Sequence, residues 1–361
     1  MPLGEESLRV AIAGATPLHG KDLKAWIEQS GFPAGEVRLF DEELAVGTLT
    51  EFAGEPAVIQ RIDSSSFDKT RFVFFTGSPA FAAKHAAAAQ KAGATVIDLS
   101  GGLSGLPAAR PWIPALDALL PPPSAANSAP SSAPGSAPGS ADDLAHKQTT
   151  IYLSPSTPVI LACSLAAACA PFNLSRLVIT FFQPVSERGQ AGVEELESQT
   201  VKLLSFQPLP QEVFDTQVAF NLLDRWGPAS HQRLSDVRAA LARDVQAYLA
   251  GRLPMPAMTL VQAPVFYAHA FAAYAEFAQP VETDALTTRI EAAGCKATAS
   301  KATGDDLAPS NLNIAGEEKP WIARPEPDPA SDRGFWLWGA ADNMRVASAN
   351  ALRIAERLLV S

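Results

Sequence analysis

The chain has 361 residues, of which 47% are hydrophobic and 18% charged, so it is long and apolar enough for two domains with sizeable cores. The formal net charge of −10 argues against nucleic acid and anionic membranes as partners, because both bind clustered Lys and Arg. No apolar run approaches the roughly 20 residues of a membrane-spanning helix. The first residues lack an export signal and three cysteines form neither a disulfide framework nor a zinc site, so we expect a cytoplasmic protein without a structural metal.

The first third of the chain alternates strands and helices as a parallel α/β sheet does. Strands are predicted at 9–13, 36–40, 71–75 and 95–99, and helices at 21–30 and 81–92. A glycine-containing turn, 14–20, connects the first strand to the first helix. This order is typical of a mononucleotide-binding unit.

Residues 121–145 consist almost entirely of Pro, Ser, Ala and Gly. Such a segment cannot bury enough apolar surface to offset its ordering entropy, so we predict a disordered loop. We interpret it as a tolerated surface insertion, with a regulatory or docking role as the alternative.

The second part of the chain has longer strands separated by helices, which predicts an α+β domain with a largely open sheet. Helices are predicted at 158–171, 194–204, 233–249, 283–293 and 343–360, and strands at 176–182, 258–266, 270–277 and 334–339. We place one domain at 1–150 together with 339–361, and the other at 151–338.

Seven segments carry a family resemblance. In chain order they are VAIAGATPLHG, FFTGS, AAAAQKAGATVIDLSG, VITFFQPVSERGQAGVEELESQT, QVAFNLL, LVQAPVFYAHA and FWLWGAADNMRVASANALRIAERL. Together they resemble the aspartate-β-semialdehyde dehydrogenase family over nearly the whole chain apart from the loop at 121–145. The fourth segment, for example, is similar to the family's V-V-V-S-T-Y-Q-A-V-S-G-A-G-x-x-G-V-x-E-L.

The resemblance implies a Rossmann-type dinucleotide-binding domain, an α+β catalytic and dimerisation domain, and a C-terminal helix that returns to the first domain. It implies a homodimer, and a hetero-oligomer with an active paralogue is a further hypothesis. It also implies an NAD or NADP site. The residues that would form this site are Gly14, Ala15, Thr16, His19, Gly20, Asp41, Thr76, Gly77, Ser78 and Asn343.

Two departures affect the expected cofactor site. Pro17 replaces the family's second glycine, which removes one backbone N–H and stiffens the turn. Asp41 and Glu42 stand where the family usually has small or basic residues, and a carboxylate there favours NAD because it repels a 2′-phosphate. Each position also has a purely structural alternative. The turn at 14–20 could be an ordinary connection between a strand and a helix, Asp41 and Glu42 could form a solvated acidic turn, and Asn343 could only cap the last helix.

The family's reaction uses a cysteine at the start of a helix, in N-P-N-C-S-T, whose thiolate attacks the aldehyde before phosphate takes the acyl group. The corresponding stretch here is SPSTP, which puts Thr157 at the cysteine position. A hydroxyl without an activating base is a poor substitute. Cys163 is the alternative nucleophile, but it lies inside an apolar helix, and we interpret Cys163, Cys169 and Cys295 as core or incidental residues.

Other positions of the family's site are partly retained. His269 falls on the catalytic histidine, and Gln183 on the glutamine that orients the substrate. Gln262 stands where the family has the arginine that binds the substrate carboxylate, and Arg233 is a candidate anion contact only. The phosphate-binding arginine has no clear counterpart.

Three functions remain open. The favoured one is a paralogue that keeps the family's fold, dimer surface and nucleotide site but has little or no activity, because Thr157 and Gln262 replace the nucleophile and the substrate arginine. The alternatives are an active semialdehyde dehydrogenase that uses Cys163, and an enzyme of altered chemistry that uses His269 and Gln183.

Overall fold

The structure is a computed structural model that describes residues 8–120, 151–298 and 308–360. The loop predicted at 121–145 lies outside the described residues. The chain divides into two units. Their described parts are 8–114, 151–155 and 347–360 in the first unit, and 115–120, 156–298 and 308–346 in the second.

The first unit contains a six-stranded parallel sheet with the order β2-β1-β5-β6-β8-β7. Its strands are β1 (Leu8–Ala13), β2 (Ala34–Phe40), β5 (Phe72–Phe75), β6 (Thr95–Asp98), β7 (Ala109–Pro111) and β8 (Ile151–Leu153). A separate hairpin consists of β3 (Leu49–Phe52) and β4 (Glu55–Val58). The helices are α1 (Leu18–Ser30) and α2 (Pro79–Lys91). The strand order reverses at β1, which lies between β2 and β5.

The end of the chain completes the core of the first unit. The last helix, numbered α7 below, spans Arg345–Val360. Its side chains Leu352 and Ile354 are buried in the same apolar core as Ile12 and Leu23. The helix buries its apolar face against the sheet, as a 3.6-residue period of small and branched side chains predicts.

The second unit contains a seven-stranded mixed sheet with the order β10-β9-β11-β15-β13-β12, in which β14 also pairs with β15. Its strands are β9 (Leu174–Gln183), β10 (Ala257–Gln262), β11 (His269–Phe277), β12 (Lys296–Ala297), β13 (Trp321–Ile322), β14 (Glu326–Pro327) and β15 (Gly334–Ala341). Its helices are α3 (Thr157–Cys169), α4 (Gly189–Leu204), α5 (Leu234–Leu249) and α6 (Thr283–Ala292). Every residue of α3 is buried, and this helix packs against α5 and α6.

The predicted fold class, a Rossmann-type unit followed by an α+β unit with a returning C-terminal helix, is confirmed. The strand predicted at 258–266 is wrong beyond Gln262, because Pro264 has no N–H with which to continue the ladder. Helices α1 and α4 begin earlier than predicted, at Leu18 and Gly189.

Candidate functional site

The turn between β1 and α1 is fixed by two close backbone contacts. Gly14 has a φ of +104°, and a Cβ there would lie 2.1 Å from the backbone N of Gly77. A Cβ at Gly20 would lie 1.9 Å from the carbonyl O of Gly14. Both positions therefore require glycine, and α1 starts directly behind the end of β1. The N–H groups at the start of α1 have no intrahelical acceptor, which suits them to a phosphate.

The rest of this turn is held by its neighbours. The backbone N–H of Ala15 donates to the carbonyl O of Phe40 at 3.1 Å. Pro17 is exposed and precedes α1 without a side-chain cap. His19 lies in the first turn of α1, and its Nδ1 is buried without a hydrogen-bond partner. The hydrogen bond that holds the turn to β2 therefore does not involve the missing N–H at Pro17.

Asp41 is a buried carboxylate at the end of β2. Its Oδ2 accepts hydrogen bonds from the backbone N–H and the hydroxyl of Thr16, at 2.7 and 2.6 Å, and its Oδ1 accepts from the N–H of Glu42 at 2.7 Å. The carboxylate ties the end of β2 to the glycine turn. It also fixes a negative charge beside that turn.

The turn after β5 lies against the first one. Thr76 donates its hydroxyl to the carbonyl O of Gly14 at 2.7 Å. Ser78 caps α2 by accepting from the N–H of Phe81 at 3.2 Å, and its hydroxyl donates to Glu42 at 2.6 Å. A cavity of about 580 Å³ opens here, and its lining includes Asp41, Glu42, Ser78, Arg61, Lys84 and His85. The cavity lies at the carboxyl ends of parallel strands, near the point where the strand order reverses, which is where open α/β sheets bind their ligands.

The second unit brings together another five predicted residues, which we call the sheet-edge cluster. Gln183 ends β9, Gln262 ends β10 and His269 begins the antiparallel neighbour β11, so the strand registers place these three at one edge of the sheet. Thr157 begins α3, and Asn343 follows β15. All five side chains are buried.

Asn343 is the centre of this cluster. Its Nδ2 donates to Glu187 Oε1 at 2.9 Å and to the hydroxyl of Ser186 at 3.1 Å, while its Oδ1 accepts from the N–H of Ala268 at 3.0 Å. Its backbone carbonyl accepts the hydroxyl of Thr157 at 2.9 Å. The Thr157 hydroxyl is therefore a donor in a structural hydrogen bond.

The cap of the last helix is a different residue. Asp342 accepts hydrogen bonds through Oδ1 from the N–H groups of Met344 and Arg345, at 3.0 and 2.9 Å. These are the orphan donors that an N-cap satisfies. The side chain of Asn343 is left to hold the cluster rather than to cap α7.

His269 is 1% exposed and faces a carboxylate. Its Nε2 lies 3.2 Å from Oε1 of Glu187, whose side chain is 23% exposed. Because a carboxylate only accepts, this contact assigns the Nε2 proton to the hydrogen bond. The other ring nitrogen, Nδ1, is buried without a partner.

The two glutamines form a neutral pair on adjacent strands. Gln183 donates through Nε2 to Oε1 of Gln262 at 3.3 Å, and Gln262 donates to the backbone carbonyls of Gln183 and Ala263 at 2.9 and 3.1 Å. Where the resemblance implies an arginine, the structure has a buried amide. Arg233 is exposed at the start of α5 and makes no hydrogen bond to the sheet-edge cluster within the described residues.

The three thiols lie in the core of the second unit. Cys163 and Cys169 are 0% exposed and Cys295 is 5% exposed. Burial raises the pKa of Cys163 strongly, and it raises the pKa of Cys169 and of Cys295 to about 12. None of them resembles an activated nucleophile, which has a lowered pKa.

The sequence reasoning missed the turn at 186–189. Ser186 and Glu187 contact Asn343, and Glu187 also contacts His269. Arg188 donates to the side chain of Gln232, and its guanidinium lies 5.2 Å from the centre of the Trp226 ring. The available signal was the replacement of the family's Gly-Ala by Glu-Arg within an otherwise matching motif.

Two features are absent from the described residues. No three His, Cys, Asp or Glu side chains are grouped to hold a metal ion there. No helix in those ranges combines the length and the apolar character needed to cross a membrane.

Comparison with known families matches both units. The NAD-binding domain of semialdehyde dehydrogenases matches residues 9–108, and the semialdehyde dehydrogenase dimerisation domain matches residues 165–346. The second match alone covers half of the chain.

Individual relatives span almost the whole chain. A protein named USG-1 protein homolog from Pseudomonas aeruginosa is 29% identical over 360 residues, covering 98% of each chain. Aspartate-semialdehyde dehydrogenase 2 of Vibrio cholerae is 24% identical over 355 residues, again with 98% of each covered.

Two solved structures have the same fold. The structure of a probable aspartate-semialdehyde dehydrogenase from Pseudomonas aeruginosa aligns with a TM-score of 0.79 at 28% identity, covering 98% of this chain and 99% of that one. Aspartate semialdehyde dehydrogenase II from Vibrio cholerae aligns with a TM-score of 0.80 at 24% identity, covering 99% of each.

Proposed function

Because the chain belongs to the semialdehyde dehydrogenase family, we propose that it is a dimerising, nucleotide-binding member that has lost the thiol-dependent reaction. It binds a nicotinamide nucleotide in the first unit and turns over aspartate semialdehyde slowly or not at all. The observation that carries this proposal is the Thr157 hydroxyl at the start of α3, donated to the backbone carbonyl of Asn343.

The chemistry of Thr157 supports the loss of activity. A helix start stabilises a thiolate, because the thiol pKa is near 8.5 and the local N–H groups lower it further. An aliphatic hydroxyl needs a base that removes its proton as it attacks. At Thr157 that proton lies in a hydrogen bond to a carbonyl, which is no base.

Two further residues of the sheet-edge cluster also support the loss of activity. The proton on His269 Nε2 is held against Glu187, so this nitrogen is not a free acceptor for a nucleophile's proton. Gln262 contributes no charge, whereas a substrate carboxylate is held best by a bidentate guanidinium. A bound nicotinamide nucleotide would supply a hydride acceptor. At the positions that generate the hydride donor in the family, this chain has Thr157 and Gln262 in place of the thiol and the substrate arginine.

The first unit supports nucleotide binding and a preference for NAD. The start of α1 offers backbone N–H groups to a pyrophosphate, and Asp41, which is hydrogen-bonded to Thr16 of the preceding turn, lines the neighbouring cavity. Arg61 and Lys84 line the same cavity, but Arg61 pairs with Glu43 at 3.2 Å. The carboxylates at 41 and 42 support a preference for NAD, because they would repel a 2′-phosphate.

The second unit supports a homodimer, since it is a dimerisation domain with an open sheet face. The hetero-oligomer with an active paralogue and the cytoplasmic location remain predictions from the sequence.

A direct test compares the purified protein with a thiol-containing family enzyme. Calorimetric titration with NAD and NADP measures binding, and absorbance at 340 nm follows aspartate semialdehyde turnover with phosphate. We expect binding of NAD with turnover at least a thousandfold below the reference enzyme. Turnover near the reference rate would refute the proposal, and absence of binding would remove its nucleotide half.

One contact favours a second candidate, an enzyme of altered chemistry. His269 is paired with a carboxylate and keeps a second, unpartnered ring nitrogen, which is the arrangement of an oriented general base. Turnover of a series of aldehydes would be measured for the wild type and for His269→Gln. An activity that depends on His269 as a base would be present in the wild type and lost in the variant, whereas an inactive protein would show none in either.

A further inference from the structure

The cavity of the first unit combines an apolar wall with acidic groups. Ile62, Ala80 and Phe81 lie in its lining, and the centre of the His85 ring is 4.7 Å from that of the Phe81 ring. The same lining contains the carboxylates of residues 41–43. An adenosine group offers a flat ring to the apolar wall and ribose hydroxyls to the carboxylates, which is the usual mixture of contacts in a small-molecule site.

Asp41 indicates which half of a dinucleotide this cavity faces. It follows β2, about 20 residues beyond the glycine turn, and a carboxylate at that place in a dinucleotide-binding unit accepts a hydroxyl of the adenosine ribose. Its two oxygens accept three hydrogen bonds within the first unit, from Thr16 and Glu42. A carboxylate has about four acceptor positions, so one remains for a ribose hydroxyl.

Asn343 is the only member of the expected nucleotide site that belongs to the second unit. It is 1% exposed, and both protons of its Nδ2 are donated, to Ser186 and to Glu187. Its Oδ1 accepts from the backbone N–H of Ala268, which fixes the orientation of the amide because a backbone N–H can only donate. The side chain therefore keeps no amide proton for a ligand.

We infer that the nucleotide site recognises the adenosine diphosphate moiety and gains nothing from the nicotinamide ring. The inference rests on the proposed function, because it concerns the same site and names the part of the ligand that this site reads. NAD and ADP-ribose, which is NAD without its nicotinamide, are then equivalent ligands. Binding is thereby separated from the hydride chemistry that the family performs.

The experiment is calorimetric titration of the full-length protein with NAD, ADP-ribose and nicotinamide mononucleotide, which is the opposite half of NAD. We expect the dissociation constants of NAD and ADP-ribose to agree within about threefold, and that of nicotinamide mononucleotide to be at least about a hundredfold higher. The comparison needs no turnover.

A pair of variants on α2 places the ligand in the cavity. Ala80 is exposed and lines the cavity, whereas Ala87 is exposed on the same helix outside that lining. We expect Ala80→Phe to weaken NAD and ADP-ribose by the same factor, at least about tenfold, because the added ring occupies space that both ligands need. Ala87→Phe is the matched control and should leave both constants within about twofold.

NAD binding more than about tenfold tighter than ADP-ribose would overturn the inference, because the nicotinamide half would then contribute to affinity. Unchanged binding of both ligands in Ala80→Phe would overturn it too, since the ligand would then lie outside this cavity. Either result leaves the proposed function intact, because NAD still binds. Absence of binding by all three ligands would overturn the inference together with the nucleotide half of that function, and turnover near the reference rate would refute only the loss of activity.

Discussion

The three thiols are buried in the second unit, and their low reactivity is a residue-scale prediction. Burial raises the pKa of all three thiols, to about 12 for Cys169 and Cys295, so very little thiolate is present at pH 8. We expect no measurable reaction of the native protein with Ellman's reagent over an hour at pH 8, and three reacting thiols after denaturation. The native rate should rise with pH, because only the thiolate reacts.

Rapid modification of a single thiol in the native protein, slowed by nucleotide, would contradict this prediction. If peptide mapping assigned that thiol to Cys163, the result would support an active dehydrogenase. The unfolded protein is the internal control, since all three side chains then have ordinary thiol chemistry.

Asp41 makes a second residue-scale prediction, about nucleotide choice. Replacing it by Asn removes the charge but keeps an oxygen that can accept from Thr16. We expect the ratio of NADP to NAD dissociation constants to fall about tenfold, equivalent to about 1.4 kcal/mol, because the 2′-phosphate meets less repulsion. Calorimetric titration of both nucleotides measures the ratio.

Glu51→Gln, on the β3–β4 hairpin of the same unit, removes an exposed charge away from the cavity and is the matched control. An unchanged ratio in Asp41→Asn, with wild-type thermal stability, would show that Asp41 acts only on the turn and not on the nucleotide.

At the scale of elements, the long strands and helices were predictable because their apolar patterns directly reflect burial. The strands β9 and β11 have largely alternating buried and more exposed residues, and α3 is apolar and buried throughout. The short strands β7 and β8 were not predictable, since three residues carry no period and are defined by their neighbours in the sheet.

The candidate site also has a part that the sequence predicted and a part that it did not. Residues at the ends of strong elements, such as Thr157 and His269, were located by motif and order. The contacts of Glu187 were not, because the sequence shows that a glycine has been replaced but not which groups the new carboxylate reaches. That information depends on how the short turn before α4 is folded against β11.

The glycine turn offers a prediction at this scale. Gly14→Ala places a Cβ 2.1 Å from the Gly77 backbone at a φ of +104°, whereas Gly47→Ala meets nothing within 4 Å at a φ of +85°. The second variant is therefore a control for backbone conformation alone, which costs about 1 kcal/mol. We expect Gly14→Ala to cost at least about 3 kcal/mol and to abolish nucleotide binding.

Urea unfolding followed by circular dichroism, together with calorimetric titration, measures both effects. Equal losses of stability in the two variants would mean that the turn between β1 and α1 relaxes freely, and that its close approach to Gly77 is not needed.

At the scale of the whole molecule, the second sheet has one face that its own unit leaves exposed. Residues alternate along β15, where Phe335 and Leu337 are buried while Trp336 and Trp338 are 50% and 43% exposed. On β9 of the same sheet, Val178 is 36% exposed. Large apolar side chains on an open sheet face of a dimerisation domain are typical of a subunit interface.

We expect Trp336→Glu to convert a dimer to a monomer, because the variant would bury a carboxylate in an apolar interface without a partner. Light scattering after size-exclusion chromatography measures the mass, with twice the chain's 38.0 kDa expected for the wild type. Val201→Glu is the control, since Val201 is 60% exposed on α4 and not on the sheet. A wild type that elutes as a monomer would refute the proposed homodimer, and a dimeric Trp336→Glu protein would move the interface away from this face.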